Sequence, residues 1–108
     1  MLLLIIDFET TGLDPQTHFP IELGAILYSV EHQTTLAQAS ILIPVQDNPA
    51  QKVNRINAGA AQAAKNFQQD LLVPIGRWMQ QADYLVAHNA EFDRKWIGLH
   101  GIPNSSKP

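Results

Sequence analysis

The apolar run that opens the chain, Leu2 to Phe8, has the length of a strand and ends among acidic residues, so it predicts a central strand whose far end opens onto a site. Thr10 to Pro20 contains Gly12, Asp14, Pro15 and Pro20 and predicts a loop. Ile21 to Val30 and Leu36 to Ile43, separated by the polar break Glu31 to Thr34, predict a hairpin of second and third strands. Pro44 to Asn57 is polar and carries two prolines, which predicts an irregular connection, followed by a helical turn or two from Ala58 to Lys65. Between Gln69 and Ala82 the residues Leu71, Leu72, Ile75, Trp78, Met79 and Ala82 recur at helical spacing. Pro74 is tolerated only near a first turn, which moves the predicted start of that helix to Leu71 or later. Tyr84 to Ala87 predicts a short strand. Ala90 to Leu99, with Phe92, Trp96, Ile97 and Leu99, predicts a second helix stopped by Gly101 and Pro103. The order implies an α/β fold: three antiparallel strands, then a fourth reached by a right-handed crossover and parallel to the first.

Composition narrows the function. The 108 residues suffice for one domain and are too few for two, and a hydrophobic fraction of 45% with 16% charged residues predicts a packed core. A net charge of −3 excludes a broad basic surface that follows a phosphate backbone over many nucleotides. Contact with nucleic acid must then be local, with divalent cations held by carboxylates supplying the missing positive charge. Cysteine is absent, which excludes disulfides, thiolate zinc sites and cysteine nucleophiles and suits a reducing cytoplasm. The apolar N-terminal run has no basic flank and meets Asp7 and Glu9 too early for a signal sequence or membrane span, so no membrane is expected.

Asp7 and Glu9 stand two apart on the predicted first strand and share a face, with Phe8 on the other. Two ionised carboxylates this close repel unless a hard cation such as Mg²⁺ or Mn²⁺ lies between them, although a solvated strand end would carry the same pair. A second cluster, His88 to Asp93 (HNAEFD), falls where the fourth strand passes into the last helix. Asp93 projects from the first turn of that helix, and pairing of the fourth strand beside the first brings it toward Asp7 and Glu9. Asn89 reads as a helix N-cap, Glu91 as a solvated first-turn acid and His88 as a hydrogen-bonded loop residue.

These segments together resemble the DnaQ-like exonucleases of the DEDD superfamily. DFETTGLD, Asp7 to Asp14, looks like the first exonuclease motif and HNAEFD like the second. PIELGAILYSV, Pro20 to Val30, is similar to the family's second strand, and VNRINAGA, Val53 to Ala60, to a degenerate form of the loop before its first helix. The resemblance implies a ribonuclease H-like mixed sheet and 3′→5′ hydrolysis of single-stranded DNA or RNA ends. Asp7, Glu9 and Asp93 would be ligands of two Mg²⁺ or Mn²⁺ ions, one lowering the pKa of the attacking water and the other stabilising the departing 3′ oxygen. Thr10, Thr11 and Gly12 match positions that approach the terminal nucleotide, and Leu13 the apolar residue that packs on its base. His88, Asn89 and Phe92 match positions lining the same pocket, although Phe92 suits the core equally and the threonines suit a turn.

One part of the pattern is missing. The third motif, His with Asp five residues later or Tyr with Asp four later, supplies the general base and a further metal ligand. No acidic residue follows Asp93, so His100 cannot complete it. Residues 1–108 are therefore expected to be a single partial domain without the family's last strand and helix, inactive or nearly so alone. A completing polypeptide, or self-association through the uncovered sheet edge, is an expected consequence. The rival reading is a catalytically incompetent module that binds a nucleic-acid end, a nucleotide or a protein.

Overall fold

The computed structural model describes residues 1–97, with side chains apart from those of 68–71 and 90. Strands β1 (Leu2–Thr10), β2 (Pro20–Ser29) and β3 (Thr34–Leu42) form an antiparallel meander. A helical excursion follows: α1 (Gln51–Asn54), α2 (Ala58–Ala63), a 3₁₀ turn (Ala64–Asn66) and α3 (Gln68–Gln81). The chain then returns as β4 (Tyr84–Val86), parallel to β1, and continues into α4 (Ala90–Arg94). The sheet order is β3-β2-β1-β4, the predicted mixed sheet.

Alternation along β1 and β2 divides the sheet into two faces. Leu4, Ile6, Phe8, Leu23, Ala25 and Leu27 are buried on one face, where Ile75, Met79 and Ala82 of the α3 segment and Trp96 after α4 close the main core. A second, smaller core of Ile21, Val45 and Ala61 holds the α1–α2 excursion against β2. The opposite face is less covered: by register Leu3 stands between Tyr28 and Tyr84, and Ile5 between Ile26 and Val86. Among the described residues no further strand pairs with β4, and no helix is long and apolar enough to cross a membrane.

Three expectations are corrected. The connection predicted as wholly irregular contains α1, ordered by the side chain of buried Asn48 rather than by apolar periodicity. Helix α3 begins at Gln68, before the predicted start, and Pro74 lies inside it. Complete burial of Ile75, Met79 and Ala82 outweighs the local cost of a proline, as tertiary packing commonly does. Helix α4 stops at Arg94 and continues as a turn to Ile97, short of the predicted Leu99. The stop at Gly101 and Pro103, His100 and the segment after it lie outside the described residues.

Candidate active site

The site forms where β4 runs out beside β1. Entry into β4 is pinned at its start: the Leu2 N–H donates to Asp83 Oδ2 at 2.8 Å, and the Asp83 N–H donates to the Leu2 carbonyl at 2.8 Å. The strand pairs Tyr84 with Leu3 and Val86 with Ile5, so it ends beside β1 two residues before Asp7. Beyond Val86 the chain turns into α4, capped by Asn89, whose side-chain oxygen accepts from the Phe92 N–H at 3.3 Å. Asp93, one turn in, is buried, and its Oδ1 accepts from the Phe8 N–H at 2.9 Å. That N–H belongs to the peptide joining Asp7 to Phe8, so a carboxylate 85 residues downstream reaches the backbone between Asp7 and Glu9. It also satisfies a strand donor that lies past the end of β4.

Electrostatics report the same convergence. Burial first, then Asp7, Glu22 and Asp93, hold the Glu9 carboxyl above its ordinary range. Asp93 is also raised, chiefly by burial and further by Asp7, against the lowering effects of the Phe8 N–H, its own N–H and nearby His88. Glu22 stands directly across from Glu9 in the β1–β2 ladder. Four carboxylates thus press on one another at this end of the sheet, and a cation is what relieves such crowding. Among the described residues, no three His, Asp or Glu side chains close into a set that could hold a metal ion. The donors suit Mg²⁺ or Mn²⁺ in chemistry and neighbourhood, while the set of ligands is incomplete.

The turn after β1 is tightly bonded. Thr10 Oγ1 donates to the Gly12 carbonyl at 2.6 Å, and the Thr11 N–H donates to the Phe19 carbonyl at 2.9 Å. Thr11 Oγ1 accepts from the Phe19 N–H at 3.0 Å and shares a second hydrogen bond with His18 Nδ1 at 3.2 Å. The His18 ring lies against Gly12, where a Cβ would overlap it. Buried Thr10 and Thr11 therefore build the turn, and Leu13 projects from it with 81% of its surface exposed. His88 and Asn89 are exposed beside Asp93. Phe92 sits differently: half-buried against the main core, edge-to-face with Trp96 at 5.9 Å, it serves the packing of α4. On the open face of the sheet, a groove of about 490 Å³ lined by Ile5, Asp7, Gly24, Ile26, Gln38 and Ser40 leads to this end.

Sequence reasoning missed Glu22, His18 and Asn54, whose Nδ2 donates to the Thr10 carbonyl at 3.0 Å. The glutamate could have been found by fixing the register of the first strand on the second, which pairs it with Glu9. Nothing in the local sequence announces the other two contacts, because both depend on how loops close.

A family model described as Exonuclease, RNase_T, matches residues 4–99. The PolC-type DNA polymerase III of Thermotoga maritima is 29% identical over 97 residues, which cover 89% of this chain and 7% of that protein. Its counterpart in Thermotoga petrophila is 28% identical over the same length. Among solved structures, Escherichia coli exonuclease I in complex with a dT13 oligonucleotide superposes with a TM-score of 0.70 at 17% identity, over 87% of this chain and 22% of that one. Exonuclease I from Methylocaldum szegediense gives a TM-score of 0.68 at 18% identity over the same shares. These superpositions establish a shared fold, and the chain spans a small part of each relative's length.

Proposed function

The chain belongs to the RNase_T exonuclease family, and on that premise we propose that it forms the cleaving end of a metal-dependent 3′→5′ exonuclease, releasing nucleoside 5′-monophosphates from DNA or RNA. The observation that carries this reading is the hydrogen bond from the Phe8 N–H to Asp93, which sets the second motif's carboxylate against the strand of the first. Asp7, Glu9 and Asp93 would hold divalent metal, Mg²⁺ or Mn²⁺, once a further ligand completes the set. When bound, it neutralises the crowded carboxylates and lowers the pKa of a water. The Phe8 N–H fixes one oxygen of Asp93, while the Asn89 cap fixes the helix turn that presents it.

The bonded turn Thr10 to Gly12 offers a rigid backbone wall to the terminal nucleotide, and exposed Leu13 an apolar surface to its base. His88 and Asn89 line the other side. The sequence holds no acidic residue after Asp93 to form the third motif, and on this reading residues 1–108 alone bind the end of a strand and turn over poorly. The experiment uses a 5′-labelled single-stranded oligonucleotide with Mn²⁺. A form completed by the third motif shortens it progressively from the 3′ end, and residues 1–108 alone do so little or not at all. A completed form that binds the oligonucleotide without shortening it supports the incompetent binding module instead.

A further inference from the structure

The described residues hold two non-glycine positions with positive φ, Gln33 at 52° and Arg55 at 61°. Gln33 sits in the β2–β3 hairpin turn, where such a conformation matches the strand twist. Arg55 has no hairpin to serve. It ends the four-residue helix α1 at ψ 26°, a left-handed position that glycine fills without the Cβ conflict an arginine meets.

The surroundings impose this conformation. The Arg55 N–H donates to the Gln51 carbonyl at 2.7 Å. On either side of it, Asn54 Oδ1 accepts from the Ile56 N–H at 3.1 Å, and Asn48 Nδ2 donates to both Asn54 Oδ1 and the Ile56 carbonyl, at 2.9 and 2.7 Å. Asn48 is buried, and Asn54 Nδ2 carries the network onward to the Thr10 carbonyl at 3.0 Å. Arg55 is thus one residue from a direct tether to the end of β1, next to Glu9. Helices often end in this conformation, but usually on glycine or asparagine, so an exposed arginine held there by its surroundings raises the question of what its side chain does.

Charge says which function. The end of the sheet is crowded with carboxylates, and the chain as a whole carries −3. A polyanion approaching it is repelled except where local cations receive it. Between Asn48 and Ala58 there is no acidic residue, and exposed Lys52 lies on the short helix that exposed Arg55 ends.

We infer that Arg55, held in its left-handed conformation beside the Thr10 turn, receives a backbone phosphodiester of the single strand whose end occupies the site, with Lys52 adding charge nearby. The inference rests on the nuclease reading and adds to it the place where the strand's phosphates land. The plain alternative is that Arg55 only ends a helix.

The test measures two quantities in the 108-residue chain with Ca²⁺ present: the affinity for a fluorescein-labelled oligothymidylate at two salt concentrations, and the melting temperature. Arg55→Gly relieves the backbone and removes the charge. It should raise Tm by about 3 °C while weakening binding roughly five- to tenfold at low salt, with the log–log salt slope shallower by about 0.7. Arg55→Lys, which keeps the charge, should retain most of the affinity. A raised Tm with unchanged affinity and slope in Arg55→Gly makes the residue a helix end and overturns the inference alone. A lowered Tm in that variant removes its strain argument and overturns it as well. If the wild-type chain binds no oligonucleotide, the nuclease reading fails and takes this inference with it.

Discussion

The two faces of β1 are built from the same nine residues and have opposite chemistry. On one, Leu4, Ile6 and Phe8 are buried under the helices. On the other, Leu3 and Ile5 give way to Asp7 and Glu9 as the strand approaches its end, so the face changes from apolar to acidic along its length. Burial on the first face, at about 25 cal/mol per Å² of apolar surface, secures the strand's position. The second face uses that position, because carboxylates repelling one another stay together only on a rigid element. Asp93 joins the two: its helix packs on the core side, and its buried carboxylate reaches the backbone between Asp7 and Glu9 at the end of the sheet. Stability and chemistry should therefore separate under mutation, face by face.

The separation is widest at the carboxylates. Asp7→Ala and Glu9→Ala, made in a form of the domain carrying the third motif, should each cut Mn²⁺-dependent nucleotide release by at least about 1,000-fold, or roughly 4 kcal/mol of transition-state stabilisation. Thermal melting should stay at or above the wild-type value. Near-normal turnover in both variants would remove the metal-site assignment. Leu4→Ala, on the other face, should lower unfolding stability by about 3 kcal/mol in denaturant titrations, through reduced burial and the cavity left behind. A stability loss from Asp7→Ala as large as that from Leu4→Ala would show that the faces do not divide the work.

A smaller effect belongs to the turn between them. Gly12→Ala forces a methyl group into the His18 ring and should cost about 2 kcal/mol, as overpacking does. His18→Ala removes the obstacle. The double variant should recover most of the stability lost in Gly12→Ala, giving a coupling energy of about 1 kcal/mol or more in a double-mutant cycle. Strict additivity would mean that Gly12 is required for some other reason than the ring.

The same division explains what the sequence disclosed. Strands β1, β2 and β3 were legible to within a residue or two, because alternation and apolar runs record which side chains are buried. The parallel return of β4 followed from chain order alone. Asp7, Glu9 and Asp93 were legible as candidates from residue type and spacing, and their convergence needed only the β1–β4 pairing. What escaped was bonded rather than packed: α1 depends on Asn48 and Asn54, and the Thr10 turn on His18, interactions that leave no periodic trace. The start of α3 escaped for the opposite reason, since Pro74 carries a strong local preference that Ile75 and Met79 override.

The smallest expected effect is also the most direct probe of the acidic face. Glu9 and Asp93 are both raised above ordinary carboxylate values, with Asp7 a contributor to each. A carboxyl group that binds its proton more tightly in the folded state favours folding while both states are protonated. That contribution disappears as pH rises through the folded value, so at neutral pH the pair weighs against the fold. Asp7→Asn removes one source of the shift from an exposed position and leaves the packing of the core as it is. It should therefore raise stability at pH 7 by about 0.5 kcal/mol, a modest figure because solvent screens these groups. The gain should shrink as pH falls through the raised values of Glu9 and Asp93, where those two carboxyls take up their protons. Saturating Mn²⁺ should reverse the order at pH 7, since a cation stabilises the wild-type cluster more than one lacking Asp7. A stability gain for Asp7→Asn independent of both pH and Mn²⁺ would mean that the carboxylates at this end of the sheet do not act on one another.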